Sequence, residues 1–240
     1  MVNGDLSTVP AWLTRVLEVE PSPSPELIAA AAVLASLGVL VPGLWQRTRH
    51  LVTIAHEGGH ALMALITGRR LAGIRLHSDT SGLSVSVGRS TGVGMVCTLA
   101  IGYLTPSALG VLAAAGLGAG RVSAMLWATL LLLAGVLLQI RNFFGFGLLL
   151  VTGSGVLAIS YWAPSTVQAL FAYTLAWFLL LGGVRPVPEL IRARRTTRTR
   201  NSDADQLARL TGVPALAWAG LFAAGTVLLA ALGTRMLTGL

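Results

Sequence analysis

The chain contains no lysine, one cysteine and few charges of either sign: its 17 basic residues are all arginine, its carboxylates number nine, and only 11% of 240 residues are charged. A surface so poor in charge excludes an ordinary soluble domain. The lone Cys97 excludes an internal disulfide framework and, lying in an apolar stretch, reads as buried filler. Aromatic residues are also sparse, at 6%. What fills the chain instead is apolar: 54% of residues are hydrophobic and the mean hydropathy is +0.76. This is the composition of an integral membrane protein. The net charge of +8 therefore marks loops retained in the cytoplasm and gives no argument for nucleic acid.

The expected fold is all-α and polytopic, with about six or seven transmembrane helices. Residues 1–25 read as an N-terminal tail without a cleavable signal, because Asp5, Glu18 and Glu20 precede the turn-forming "EPSPSPE". Within the tail, Trp12, Leu13, Val16 and Leu17 could share one side of a short interfacial helix. Residues 26–240 are read as a single membrane domain. Its first helix starts at Ser24, Pro25 and Glu26, a hydroxyl cap followed by a first-turn proline and acid, and runs to about Leu44. Further apolar stretches cover about His50 to Thr67, then 93–118, 122–140, 143–162, 167–184 and 213–233, seven in all.

Two segments break this pattern. Residues 71–89 alternate apolar and polar side chains around a polar turn and predict a small β-hairpin, with Leu83, Val85 and Val87 on one face and Ser84, Ser86 and Gly88 on the other. Residues 185–212 predict a basic, proline-punctuated loop followed by a short helix that Ser202 caps, with Asp205 three residues on. An inside N-terminus with seven spans puts 13 of the 17 arginines, the hairpin, Asn142 and "SDAD" in the cytoplasm.

Against this background "TIAHEGGHALMALITG", residues 53–68, is anomalous. Ionisable groups within a spanning helix cost about 2.5 kcal/mol or more each, so three within five positions imply partners or a bound ion. His56 and His60 lie one helical turn apart on one face and can share a metal at about 2.0–2.1 Å. Glu57 beside them is placed as a general base toward water activated by that metal. At this chain's own residue frequencies the pattern arises by chance about once in 400 such sequences.

A catalytic zinc takes one more protein ligand and keeps a position for water. His50 points away from the His56 face, His77 and Asp79 fall in the hairpin turn, and Cys97 is chemically less usual beside two histidines. The most economical choice is Asp203, with Asp205 as the capping-box partner of Ser202. The competing reading has both aspartates capping a helix and offsetting the arginine run.

"HEGGHALMALITGRRLAGIRL", the hairpin after it and "LAIGYLTPSALG" at 99–110 resemble the site-2 protease family of intramembrane zinc metallopeptidases. "SDADQLARLTGVPALAW" resembles more specifically its compact bacterial B-type branch. The resemblance covers about residues 45–235 and implies zinc as cofactor, a membrane protein substrate within the lipid bilayer of the cell membrane, and hydrolysis near membrane-embedded segments. The usual family motif N-x-x-P-x-x-x-L-D-G is missing. "QIRNFFGFG" at 139–147 offers Asn142 but no aspartate, which throws the third ligand onto "SDAD". Asn142 then stands either as a polar group near the site or as a helix cap, and Tyr103 lies close to where an extended substrate would add to the hairpin edge. The alternative reading is a degenerate zinc-binding scaffold, favoured by the missing motif and opposed by Glu57. A transporter would show polar residues paired in repeats, and none is seen.

Overall fold

The computed structural model describes Val16 and residues 18–196 and 201–239. Trp12, Leu13 and Leu17 of the expected interfacial helix lie outside them. Helix α1, Pro25–Leu40, begins as its sequence indicates: Ser24 is the N-cap and accepts from Leu27 N at 3.4 Å. Val41 is extended because the following proline disfavours the helical region. The chain therefore turns by 99° before entering α2, Pro42–Ile66.

This bend revises the span count. Among the described residues four helices are long and apolar enough to cross a membrane, and up to six crossings result when α1–α2 and a second bent pair are each counted once. That second pair is α3, Val93–Ile101, and α4, Thr105–Gly118, which meet at 68° across Gly102. Then follow α5, Val122–Gln139; α6, Phe143–Trp162; α7, Ser165–Val184; α8, Pro186–Thr196; α9, Asp203–Thr211; and α10, Ala215–Thr238. The seven-span expectation counted α1 and α2 separately. With six crossings the two chain ends share one side, while the hairpin, residues 140–142 and segment 185–212 share the other. By sequence position twelve arginines fall on that second side and three with the chain ends, the asymmetry that the positive-inside rule associates with a cytoplasmic face.

Segment 185–196 is helical rather than a loop. Arg185 keeps helical dihedrals, and prolines 186 and 188 stand in the first turn of α8, where a missing N–H breaks no helical bond.

The hairpin forms as its alternation predicts. Strand β1, Arg70–Leu76, pairs antiparallel with β2, Gly82–Val87, with an irregularity between Leu71 and Gly73. Residues 140–141 cover the outer edge of β1: Arg141 N donates to Ile74 O at 2.9 Å. Its two faces are used in an order opposite to that of a soluble sheet. Leu83, Val85 and Val87 are exposed, and the serine face lies on α2, where the Ser84 hydroxyl donates to Glu57 O at 3.0 Å.

Two apolar clusters position the parts that matter. Ile54, Ala61, Ile74, Leu76, Ile140 and Leu149 seat the hairpin against α2. Leu99, Val187, Leu190, Leu207 and Phe222 join α3, α8, α9 and α10, which fixes the start of α9 over the middle of α2.

Candidate metal centre

On α2, His56 and His60 are four residues apart and face the same way, rings perpendicular at 89° with centroids 4.6 Å apart. Their Nε2 atoms approach to 3.0 Å. That orientation is enforced from behind: His60 Nδ1 donates to the Thr98 carbonyl of α3 at 2.6 Å, which leaves Nε2 turned to the site. The Tyr103 ring meets His56 edge-on at 4.9 Å and stacks on Phe222 at 4.9 Å and 14°.

The third member arrives from 143 residues downstream of His60. Ser202 caps α9 through a full capping box with Asp205, and Asp203, the first helical residue, projects its Oδ2 to 3.2 Å from His56 Nε2 and 3.3 Å from His60 Nε2. Asp205 is engaged elsewhere. It accepts from the Ser202 hydroxyl at 2.6 Å and from Arg194 of α8. Burial alone would raise the Asp203 carboxyl, yet the imidazoles of His56 and His60 beside it hold it well below the usual carboxylate range.

Does this donor set fit a metal? The three facing atoms form a triangle of sides 3.0, 3.2 and 3.3 Å, close to the edge of about 3.3 Å that tetrahedral bonds of about 2.0–2.1 Å require. Two imidazole nitrogens and one carboxylate oxygen converging at these distances need shared protons or a cation between them. Among the described residues this is the one group of three or more His, Cys, Asp or Glu side chains able to hold an ion. His77, Asp79 and Cys97 are not in it. Glu57 is buried beside the group but outside it.

The described residues 29–196 and 201–233 fall within a match to the family model Peptidase M50B-like, which spans residues 29–233. The chain belongs to that family. Membership makes it a multi-pass membrane metallopeptidase of the site-2 protease type, from a family that is zinc-dependent. No curated protein and no solved structure matches the chain.

In this M50B-like peptidase the candidate metal group opens on a cavity of about 450 Å³. Glu57, Tyr103 and Asp203 line it, together with the inner face of β2. Asn142 does not. Its carboxamide pairs with the backbone of Leu76, accepting from N at 3.1 Å and donating to O at 2.6 Å. It thereby ties the start of α6 to the end of β1, on the far side of the hairpin, and makes no side-chain cap for α6.

Three further contributions complete the site: a backbone carbonyl, a pair of glycines and the start of α2. Thr98 acts through its backbone carbonyl, which carries no sequence signature. Gly102 stands where a β-carbon would collide with His60 and lie 2.8 Å from His56 Cε1, and Gly82 stands where one would lie 2.6 Å from Glu57 Oε1. Glycine is required at both places because another residue's side chain already occupies the space. The third is the start of α2, where Trp45 Nε1 donates to Glu189 at 2.9 Å and Arg49 lines the cavity.

Proposed function

We propose that this membrane metallopeptidase is a zinc-dependent endopeptidase of the cell membrane that hydrolyses peptide bonds in or near membrane-embedded segments of protein substrates. The observation that carries the reading is the convergence of His56, His60 and Asp203 at 3.0–3.3 Å with Glu57 next to them and left free of the group. His56, His60 and Asp203 would hold the metal. Zinc, when bound, supplies Lewis-acid polarisation and lowers the pKa of water toward about 7.

The remaining work falls to the chain itself. Glu57, on the same cavity wall, takes a proton from the attacking water and returns it to the amine that leaves, so the carboxylate is regenerated with each peptide bond cleaved. Gly82 keeps that carboxylate against the strand. A substrate helix must unwind before its amides are accessible, and the outer edge of β2, without a strand partner among the described residues, gives an extended segment backbone donors and acceptors to join. Tyr103 buttresses His56 and closes the cavity over the substrate. Asn142 supports binding by holding the hairpin in register through Leu76.

The test is Glu57→Gln in the full-length protein reconstituted in nanodiscs. Cleavage of a single-span substrate should fall about 10²–10⁴-fold while zinc content stays at the wild-type level. Cleavage at the wild-type rate would remove Glu57 from the reaction.

A further inference from the structure

The cavity lining combines Leu71, Met95 and Leu99 with Ser84, Ser86 and Thr98 around the metal group, and also includes Trp45 and Arg49 from the start of α2. There one carboxylate, Glu189, faces two guanidinium groups. Its Oε1 accepts from Trp45 Nε1 at 2.9 Å and from Arg185 Nε at 3.2 Å, and its Oε2 lies 3.5 Å from Arg49 Nη2. One positive charge is left in excess. Arg185 is held by a direct hydrogen bond and by the Trp45 ring, 4.7 Å away. Among the described residues Arg49 donates no hydrogen bond; it makes only the long ion pair and a 5.7 Å contact with the Trp45 ring. Its side chain is 35% exposed, and a guanidinium has five N–H donors matched to a carboxylate.

Arg49 precedes His56 by seven residues, two turns along one helix face and about 10 Å of rise. An extended chain covers that distance in about three residues. Building on the endopeptidase reading, we propose that Arg49 is a specificity-determining residue. It takes a substrate carboxylate about three residues from the scissile bond, so the preferred substrate is acidic at the Arg49 end. An aspartate or glutamate side chain and a free C-terminus offer the same chemistry.

The experiment uses full-length protein in zwitterionic nanodiscs, with a parallel series containing added anionic lipid, and a set of single-span peptides that carry Asp, Ala or Arg at each of four positions on either side of the cleavage site, each with a free or amidated C-terminus. Cleavage is read by mass spectrometry. Binding of the same peptides is read by fluorescence anisotropy in the Glu57→Gln protein, where turnover does not intrude. Wild type should favour Asp over Arg roughly tenfold at one position about three residues from the cut. The preference should vanish in Arg49→Gln and reverse in Arg49→Glu, with zinc content unchanged in both. Sensitivity to amidation alone assigns the carboxylate to the terminus, and sensitivity to Asp alone to a side chain; either supports the proposal. Cleavage and binding indifferent to peptide charge in all three proteins would overturn it while leaving the endopeptidase reading intact. Binding that follows anionic lipid content and ignores the peptide would also overturn it, assigning the guanidinium to a headgroup phosphate. Wild type that cleaves no peptide, yet binds with the stated charge preference, would refute the endopeptidase reading alone.

Discussion

Asp203→Ala and Asp205→Ala alter carboxylates two residues apart to which the structure gives different duties. Asp205 accepts from Ser202 N at 3.1 Å, from the Ser202 hydroxyl at 2.6 Å and from Arg194, and is 6% exposed. Losing the cap costs about 1 kcal/mol and losing the sheltered charged hydrogen bond about 1–3 kcal/mol. Asp205→Ala should therefore lower stability by roughly 2–4 kcal/mol, with or without zinc. Asp203 contributes through linkage. Zinc at about 1,000 times its Kd stabilises the folded state by about 4 kcal/mol, and loss of one of three protein donors that weakens binding about 1,000-fold removes nearly all of it. Thermal unfolding in detergent, followed by tryptophan fluorescence with and without zinc, separates the two. Asp205→Ala should melt lower in both conditions and keep its zinc-induced rise; Asp203→Ala loses its contacts with His56 and His60 and should also melt lower without zinc, but should show almost no rise. A full rise and full zinc content in Asp203→Ala would refute its assignment as a ligand.

Gly102→Ala should lower zinc affinity about 10–100-fold by pushing both imidazoles off line, measured by competition with a chelating dye. Acid should act on α9 through Asp205: burial tends to raise its carboxyl, but the Ser202 and Arg194 contacts hold it below the ordinary range. The native state thus binds that proton less tightly than the unfolded chain, and the stabilisation present above about pH 4 is lost as pH falls further. Unfolding temperature between pH 5 and 3 should drop more steeply for wild type than for Asp205→Asn. Thr196→Cys in a Cys97→Ser background should react with an impermeant maleimide only from the cytoplasmic side, and labelling only from outside would invert the orientation.

The convergence of His56, His60 and Asp203 was the most legible part of the chain because its parts obey local rules. The four-residue spacing fixed the shared face of His56 and His60, and the capping box of Ser202 with Asp205 left Asp203 as the free acid. The bend at Val41 was harder to see. A proline after an apolar run marks a break but not its angle, and the angle decides whether two helices count as one crossing. Prolines 186 and 188 read as breakers although first-turn prolines begin a helix as readily as they end one. The hairpin alternation gave two faces without saying which meets protein, since in a bilayer the oily face has a solvent of its own. Thr98, Gly102 and Gly82 matter only through what lies opposite them, and that is settled by tertiary packing.

The reversed hairpin carries a consequence for water. A ribbon with hydroxyls toward Glu57 and Leu83, Val85 and Val87 turned outward is a bulkhead, wettable on one side and greasy on the other. The space over the carboxylate is separated from what lies beyond the apolar face by a wall two strands wide. For the proposed hydrolysis inside an oily phase, such a partition, its two surfaces preferring different liquids, would stand in for a deep aqueous shaft.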